Sequence, residues 1–401
     1  MRILMINTCN YGSTGNIMRQ IADTVRKAGG TAVICYPKSR SNATKQQPED
    51  IVIGNRLSRN IHLLLAKFTG LNGCFSFFST LHFLRKVNKW QPDMIHLHNL
   101  HNCYINLPLL FRYLKRTNIP VLWTLHDCWS FTGQCPYFTM VKCDKWQRGC
   151  YDCPQTHVYP ASHVDQTRLM WKLKRKWFCG VKNLTIVTPS YWLAQLVKQS
   201  FLKDYSVKVI HNGINLNVFH PIASDFRTQY SIPENKPILL GVAFDWGKRK
   251  GLDVFIELAE RFGEAAQIVL VGTDSTIDAQ LPTTIVSIHR TQNQQELAEI
   301  YSAADVFVNP TREDNFPTVN LEALACGTSV ITFDTGGSPE CIDETCGMVV
   351  PCDDVNALEK AIQHVIAEKP FSSEACRQRA EQFDMRDKFA EYVDLYRLSM
   401  D

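Results

Sequence analysis

The sequence predicts an α/β chain of two parallel-sheet domains, and three observations predict it. At 401 residues the chain exceeds one ordinary core, so two domains of roughly 180–200 residues each are expected. Short β-branched runs alternate with segments of helical period throughout, which is the pattern of βαβ units. The formal net charge of +4 is also unevenly spread. Residues 1–221 carry 28 Lys+Arg against 9 Asp+Glu, a formal +19, whereas residues 222–401 carry 15 against 30, a formal −15. Such asymmetry fits two functionally distinct domains.

In the first domain, strands are expected at 3–7, 32–36, 94–98, 121–125, 184–189 and 207–211, with helices near 17–28, 107–116 and 191–199. In the second, strands fall at 237–242, 267–271, 285–289, 306–309 and 329–333. Helices there cover 252–262, 293–303, 318–326 and 355–367. The turn-rich piece 212–221 and the polar segment reaching Pro237 form the hinge. The boundaries read 1–218, joined by a terminal helix within 385–401 that packs back on it, and 219–384. Two Rossmann-like domains facing a cleft would put their strand C-terminal ends, and hence their ligands, at the interface.

Composition narrows the function classes. A hydrophobic content of 45% with 20% charged residues is that of a globular soluble protein. No apolar run approaches the roughly 20 residues that span a bilayer, and the opening MRILMINTC has no cleavable-signal pattern. Fifteen cysteines in core-like segments do not read as a disulfide framework and point to a reducing, cytoplasmic setting. The basic half calls for an anionic partner, namely a phosphate-bearing acceptor, an anionic membrane surface or nucleic acid, unless it serves attraction between the halves.

The densest signal runs from Arg312 to Ile342. Asp314 and Glu322 stand eight residues apart across a break between a turn and a helix. Pro317 suits a first helical turn, Gly327 a left-handed close, and the run from Ser329 to Phe333 a buried strand. A helix start with unpaired N–H groups and a positive dipole end seats phosphate. Carboxylates on either side want hydroxyls, and phosphate flanked by hydroxyls describes a nucleotide sugar. Upstream, GVAFDWGKRKG places Lys248, Arg249 and Lys250 at the end of the first strand of the second domain. Three cations there can neutralise a departing diphosphate, although a charge run by itself more often marks a solvated face.

The segments DNFPTVNLEALACGTSVI, RKG, GGSPE and HNGIN resemble the donor-domain signature of GT-B glycosyltransferases of family 4, and the likeness covers nearly the whole chain. The resemblance implies metal-independent transfer of a sugar from a nucleotide donor with retention of configuration. By position, Glu322 would hold the ribose hydroxyls and Asp314 the hydroxyls of the donor sugar. Backbone around Asn315, Phe316, Pro317, Thr318 and Val319 would bind sugar or phosphate, and Lys250 the diphosphate. Gly336 and Gly337 would allow close backbone approach. The family's first carboxylate is normally Glu, so either Asp314 serves or Glu313 takes the role by a one-residue shift. An expected arginine is missing at Val242-Ala243-Phe244, with Arg249 the replacement. Retention follows, on the family reading, from front-face attack in which the leaving phosphate takes the acceptor's proton.

In the first domain, NYGSTGN contributes Gly12, Ser13 and Gly15 to a strand-to-helix loop that fits donor phosphate or acceptor and that any tight turn would also need. His126, the fourth residue of WTLHD, matches the family's cleft histidine and would hold the transferred sugar or stabilise the departing phosphate, with Asp127 orienting it or meeting the acceptor. His96, His98 and His101 read equally as structural histidines or acceptor groups. Cys135, Cys143, Cys150 and Cys153 read either as a structural zinc site or as buried thiols and a labile disulfide. Residues 61–84 and MWKLKRKWF at 170–178 carry aromatics among apolar or basic residues, as membrane-surface segments do, yet helices packed on a sheet explain much of 61–84.

Together these features read as a retaining glycosyltransferase that moves a hexose from a UDP- or GDP-sugar to a glycan acceptor, lipid-diphosphate-linked, in cell-surface polysaccharide synthesis. The setting expected is the inner face of the cell membrane. No catalytic cofactor and no nucleic acid are expected, since a nucleic-acid-binding zinc protein leaves the paired carboxylates unexplained. The alternatives are another GT-B enzyme, such as a nucleotide-sugar epimerase, and a non-catalytic sugar-nucleotide-binding protein.

Overall fold

The computed structural model describes residues 1–39, 42 and 46–400. It divides into two compact units, Met1–Ile210 with Phe389–Asp401, and His211–Lys388.

Among the described residues the first unit holds seven strands: β1 (Arg2–Ile6), β2 (Thr31–Pro37), β3 (Ile51–Ile53), β4 (Met94–Leu97), β5 (Val121–Thr124), β6 (Leu184–Thr188) and β7 (Ser206–Val209). Their order is β3-β2-β1-β4-β5-β6-β7, with every pairing parallel. Ile3, Leu4, Met5 and Ile6 are all buried because helices cover both faces of a parallel sheet. The chain leaves β1 toward β2 on one side, and β4 returns on the other. The loops after β1 and β4 therefore open a crevice at the strand C-terminal ends, where such sheets bind ligands.

The second unit repeats the plan with β8 (Ile238–Val242), β9 (Gln267–Val271), β10 (Ile285–Ile288), β11 (Val306–Asn309), β12 (Val330–Phe333) and β13 (Gly347–Val350), in the order β10-β9-β8-β11-β12-β13. Side-chain alternation divides its interior into two layers. Leu240, Val269, Phe307 and Val330 face one layer, and Leu239, Ile268, Val308 and Ile331 the other. Each fully buried branched side chain stabilises by about 1.5–3 kcal/mol. Here the switch point lies between β8 and β11.

Two strands escape the sequence pattern: β3 has three residues, and β13 opens on a glycine. The terminal helix Met385–Met400 packs on the first unit, burying Tyr392 and Tyr396. Tyr396 Oη lies 2.6 Å from His96 Nδ1, and Thr124 Oγ1 donates to Tyr392 Oη at 3.4 Å.

The helices Arg56–Thr69 and Phe77–Trp90 behave differently. The second turns Phe83, Leu84 and Val87 inward, as a packed helix should. The first buries only His62 and Ala66 and leaves Leu57, Ile61, Leu64 and Phe68 48% or more exposed. In the segment 170–178 the aromatics lie opposite to a membrane-facing arrangement, because Met170, Trp171 and Phe178 are buried in the core. Among the described residues no helix is long and apolar enough to cross a membrane.

Candidate active site

In the second unit, the loops after β8 and β11 meet at the switch point. After β8 the chain makes a short turn, Lys248–Lys250, closed by Gly251 at φ 76°. A Cβ on Gly251 would stand 2.5 Å from the Pro310 carbonyl, so glycine lets the basic turn rest on the start of the loop after β11. That loop is anchored by Arg312, which forks onto Asp253 (Nη1–Oδ1 2.7 Å, Nη2–Oδ2 2.9 Å) and also reaches Asp353 (2.5 Å). Such bidentate geometry fixes the loop's position.

On this frame Lys250 Nζ and Asp314 Oδ2 pair at 2.5 Å, each side chain about a fifth exposed (17% and 19%). Arg249 Nη1 donates to the Glu313 carbonyl at 3.2 Å, while the Glu313 side chain is buried. The Asp314 carbonyl accepts the Gly337 N–H at 3.2 Å. A Cβ on Gly336, at φ 57°, would meet that carbonyl at 1.7 Å. Gly336→Ala is therefore expected to destabilise the second unit by about 2–4 kcal/mol. Thermal unfolding checks this, and a native melting curve would contradict the close approach.

Asn315 and Phe316 are buried, and the Phe316 ring lies 4.8 Å from that of His211. Pro317 is extended (φ −72°, ψ 112°) and sits one position before the helix Thr318–Ala325 rather than inside its first turn. Among the described residues no side chain caps that helix start, and Val319 is half-buried. One turn further on, Glu322 Oε2 accepts a hydrogen bond from Tyr301 Oη at 3.0 Å. Desolvation pushes the Glu322 carboxyl up to about 7, with the Tyr301 and Thr318 hydroxyls pulling the other way. The same burial, followed by the Glu322 charge, holds Tyr301 well above the phenol range, so it remains a donor. Gly327 adopts φ 83° where a left-handed close is needed.

In the first unit the glycine loop follows β1. Gly12 (φ 72°) faces open space, Ser13 is exposed, and a Cβ on Gly15 would stand 2.8 Å from the Asn10 backbone. Asn7 joins this loop to the next one, its Oδ1 accepting from the Asn99 N–H at 3.3 Å. After β5, His126 Nε2 lies 2.9 Å from His98 Nδ1, the rings stacked at 5.2 Å. Asp127 Oδ1 accepts the Trp129 N–H (2.9 Å), and its Oδ2 lies 3.1 Å from His101 Nε2. Burial would raise the Asp127 carboxyl, but His101 and the Trp129 N–H outweigh it and hold it low. Burial also depresses His126 to about 4.

A glycine loop after β1 and a histidine after β5 in the first unit, with a lysine–carboxylate pair and a half-buried Glu322 in the second, suit two ligand-binding α/β domains. Residues 236–368 match the family model for glycosyl transferases group 1, and residues 14–218, half of the chain, match that for glycosyltransferase family 4. The chain belongs to glycosyltransferase family 4.

Among its relatives, the putative colanic acid biosynthesis glycosyl transferase WcaC of Escherichia coli K12 is 25% identical over 317 residues, 76% of each chain. Sucrose-phosphate synthase from Thermosynechococcus elongatus superposes with a TM-score of 0.72 at 22% identity, covering 99% of this chain and 98% of that one. Anabaena HepE, solved in complex with UDP, does so at 0.69 and 15% identity, covering 98% and 99%. These structures bear on the fold, which is GT-B.

For the four-cysteine cluster of this family 4 chain the structure favours the buried-thiol reading. Among the described residues no group of three or more His, Cys, Asp or Glu is arranged to hold a metal ion, so of the two readings of Cys135, Cys143, Cys150 and Cys153 the zinc site is not met. Burial first, and neighbouring thiols second, push Cys135 up to about 12. Burial likewise raises Cys150 to about 11. Cys150 Sγ takes the Gly133 N–H at 3.1 Å, and Cys135 and Cys150 pack in the core with Phe138 and Trp146. They are neutral thiols used as small apolar groups.

Tyr301 and Arg312 are site residues that motif spacing did not show. Tyr301 sits 21 positions before Glu322 on another helix, Gln294–Ala303, and only the fold brings it there. Of Val242, Ala243 and Phe244, where the resemblance leads one to expect an arginine, Phe244 stands fully exposed.

Proposed function

We propose that this chain is a retaining hexosyltransferase that moves a hexose from a nucleoside-diphosphate sugar to a lipid-linked glycan acceptor in cell-surface polysaccharide assembly. The observation that carries the reading is the arrangement at the β8–β11 switch point. A cation paired to a carboxylate stands there with a second, desolvated carboxylate one helical turn beyond an uncapped helix start.

In this reading Glu322 accepts the ribose hydroxyls, Asp314 orients the sugar, and Gly336, Gly337 and the backbone of 315–319 close on donor oxygens. Lys250 has three N–H donors and gives one to Asp314, which leaves the others for the diphosphate. Arg249 adds positive charge beside it. Stabilising a departing diphosphate in this way needs no dedicated base. On the first unit, His126 is assigned to sugar or phosphate, Asp127 to orienting it or to the acceptor, and Gly12, Ser13 and Gly15 to phosphate or acceptor. The colanic acid assignment of WcaC supports a polysaccharide pathway, and the UDP complex of HepE makes UDP-sugars the first donors to test. A thermal-shift screen of UDP-, GDP- and ADP-glucose should show one nucleotide raising the melting temperature by linkage. A flat response to all three would overturn the donor-site reading.

Membrane contact in this reading moves to the helix Arg56–Thr69. Leu57, Ile61, Leu64 and Phe68 fall at four-three-four spacing on one exposed face, a stripe that normally faces a core. Arg56 and Arg59 on its first turns line a cavity of about 310 Å³ with Lys38, Ser39 and Asn60. An apolar stripe leading to a basic cavity fits a lipid whose head carries phosphate. Wild-type protein should sediment with anionic vesicles, and the Leu64→Asp, Phe68→Asp double variant should stay in solution. Indifference of the wild type to vesicles would remove the proposal.

A further inference from the structure

We propose that His98 acts as a positioning residue that fixes the tautomer of His126, keeping the proton on His126 Nδ1, and that Tyr396 of the terminal helix buttresses this arrangement through His96. The chemical consequence, that His126 is a hydrogen-bond donor and not a base, rests on the functional reading above, whereas the tautomer itself does not.

Four groups stand in line in the first unit. Tyr396 Oη lies 2.6 Å from His96 Nδ1, and His96 Nε2 lies 2.8 Å from Thr124 Oγ1. The His96 ring packs on His98 at 4.1 Å between centroids. His98 Nδ1 in turn lies 2.9 Å from His126 Nε2. His96 and His98 are buried, and the Trp123 indole N–H donates to the His98 carbonyl at 3.0 Å, which pins the backbone below the ring.

The protons can be placed one at a time. Thr124 Oγ1 donates to Tyr392 Oη, so it accepts from His96 Nε2–H. His96 Nδ1 therefore carries the lone pair and accepts the Tyr396 O–H, which burial keeps protonated. His98 and His126 share a single hydrogen bond between two neutral rings, since burial depresses both. Two arrangements satisfy it. If His126 Nε2–H donated, His98 would carry its own proton on Nε2, and that atom is buried with no hydrogen-bond partner among the described residues. A stranded N–H in the interior is the rarer and costlier orphan. If His98 Nδ1–H donates, only a lone pair is stranded. The second arrangement wins, and it forces His126 into the Nδ1–H form.

A donor at His126 can hold a sugar hydroxyl oxygen or a departing phosphate oxygen. It cannot take a proton through the same atom, which agrees with a reaction that needs no protein base. His98 contributes by setting which of these tasks His126 performs.

The test is long-range 1H–15N correlation spectroscopy on the whole protein labelled at histidine, with the His126 signals assigned by their loss in His126→Asn. The wild type should show His126 as the Nδ1–H tautomer. His98→Asn, whose side-chain amide can donate from nearly the same point, should keep it so. His98→Leu should release His126 into a mixture rich in Nε2–H. An Nε2–H signal for His126 in the wild type, or a tautomer unchanged in His98→Leu, overturns the proposal. Should His126→Asn turn over UDP-glucose as fast as the wild type, the reaction role of His126 would fall while the tautomer result stood.

Discussion

Glu322→Gln is expected to melt higher than the wild type at pH 8 and at the same time to lose donor binding. The carboxyl of Glu322 is pushed from the ordinary 4.5 up to about 7, chiefly by desolvation. A carboxyl whose folded value is raised adds stability below its unfolded value, near 4.5, and that stability is lost as pH rises through about 7. At pH 8 the protein therefore carries the full cost of a poorly solvated charge, on the order of 2–3 kcal/mol. The amide of the variant removes the charge and can still accept from Tyr301. The wild-type melting temperature should fall relative to the variant between pH 5 and pH 8, by several degrees for a unit of this size. On the proposed reading, ribose hydroxyls donating to the carboxylate would recover the cost on binding. Two melting curves at each pH decide the matter, and parallel curves for the two proteins would contradict the desolvated site.

Lys250→Ala is expected to lower kcat/KM for sugar transfer by about 10²–10³-fold, the scale of losing one strong donor to a developing anion. The Lys250–Asp314 pair makes the prediction specific. Removing the lysine leaves Asp314 without its partner at 2.5 Å, so Asp314 loses its orientation along with the cation proposed for the diphosphate. Asp314→Asn keeps an oxygen acceptor for Lys250 and should cost less. The pair is only about a fifth exposed, so Lys250→Ala should also lower stability, by about 1–2 kcal/mol. Steady-state rates for both variants, read against their melting curves, separate the two effects. Turnover of Lys250→Ala within threefold of the wild type would place the diphosphate elsewhere.

Much of the fold was legible because parallel strands buried on both faces leave unbroken apolar runs, as in β1, β8 and β12. The 312–342 stretch was legible because proline, glycine and carboxylates each have a narrow local meaning. Composition misled where it could not tell inside from outside. The tryptophans of 170–178 read as interfacial, yet Trp171 is core. The four cysteines had plausible ligand spacing, yet burial makes Cys135 and Cys150 neutral packing groups. Conversely, packing on a sheet was expected for much of 61–84, yet Ile61, Leu64 and Phe68 are exposed. Contacts made only by tertiary folding left no local signal. Tyr301 on Glu322, Arg312 between two aspartates, and the Tyr396–His96 bond across 300 residues are of this kind.

Calorimetric titration of UDP, GDP and ADP into the wild type and Glu322→Gln at pH 8 tests the donor site most directly. One nucleotide should bind the wild type at one site per chain and bind the variant at least about a hundredfold more weakly, the cost of leaving paired hydroxyls without a charged acceptor. Equal binding to a natively folded variant, or no binding to the wild type, would contradict the account.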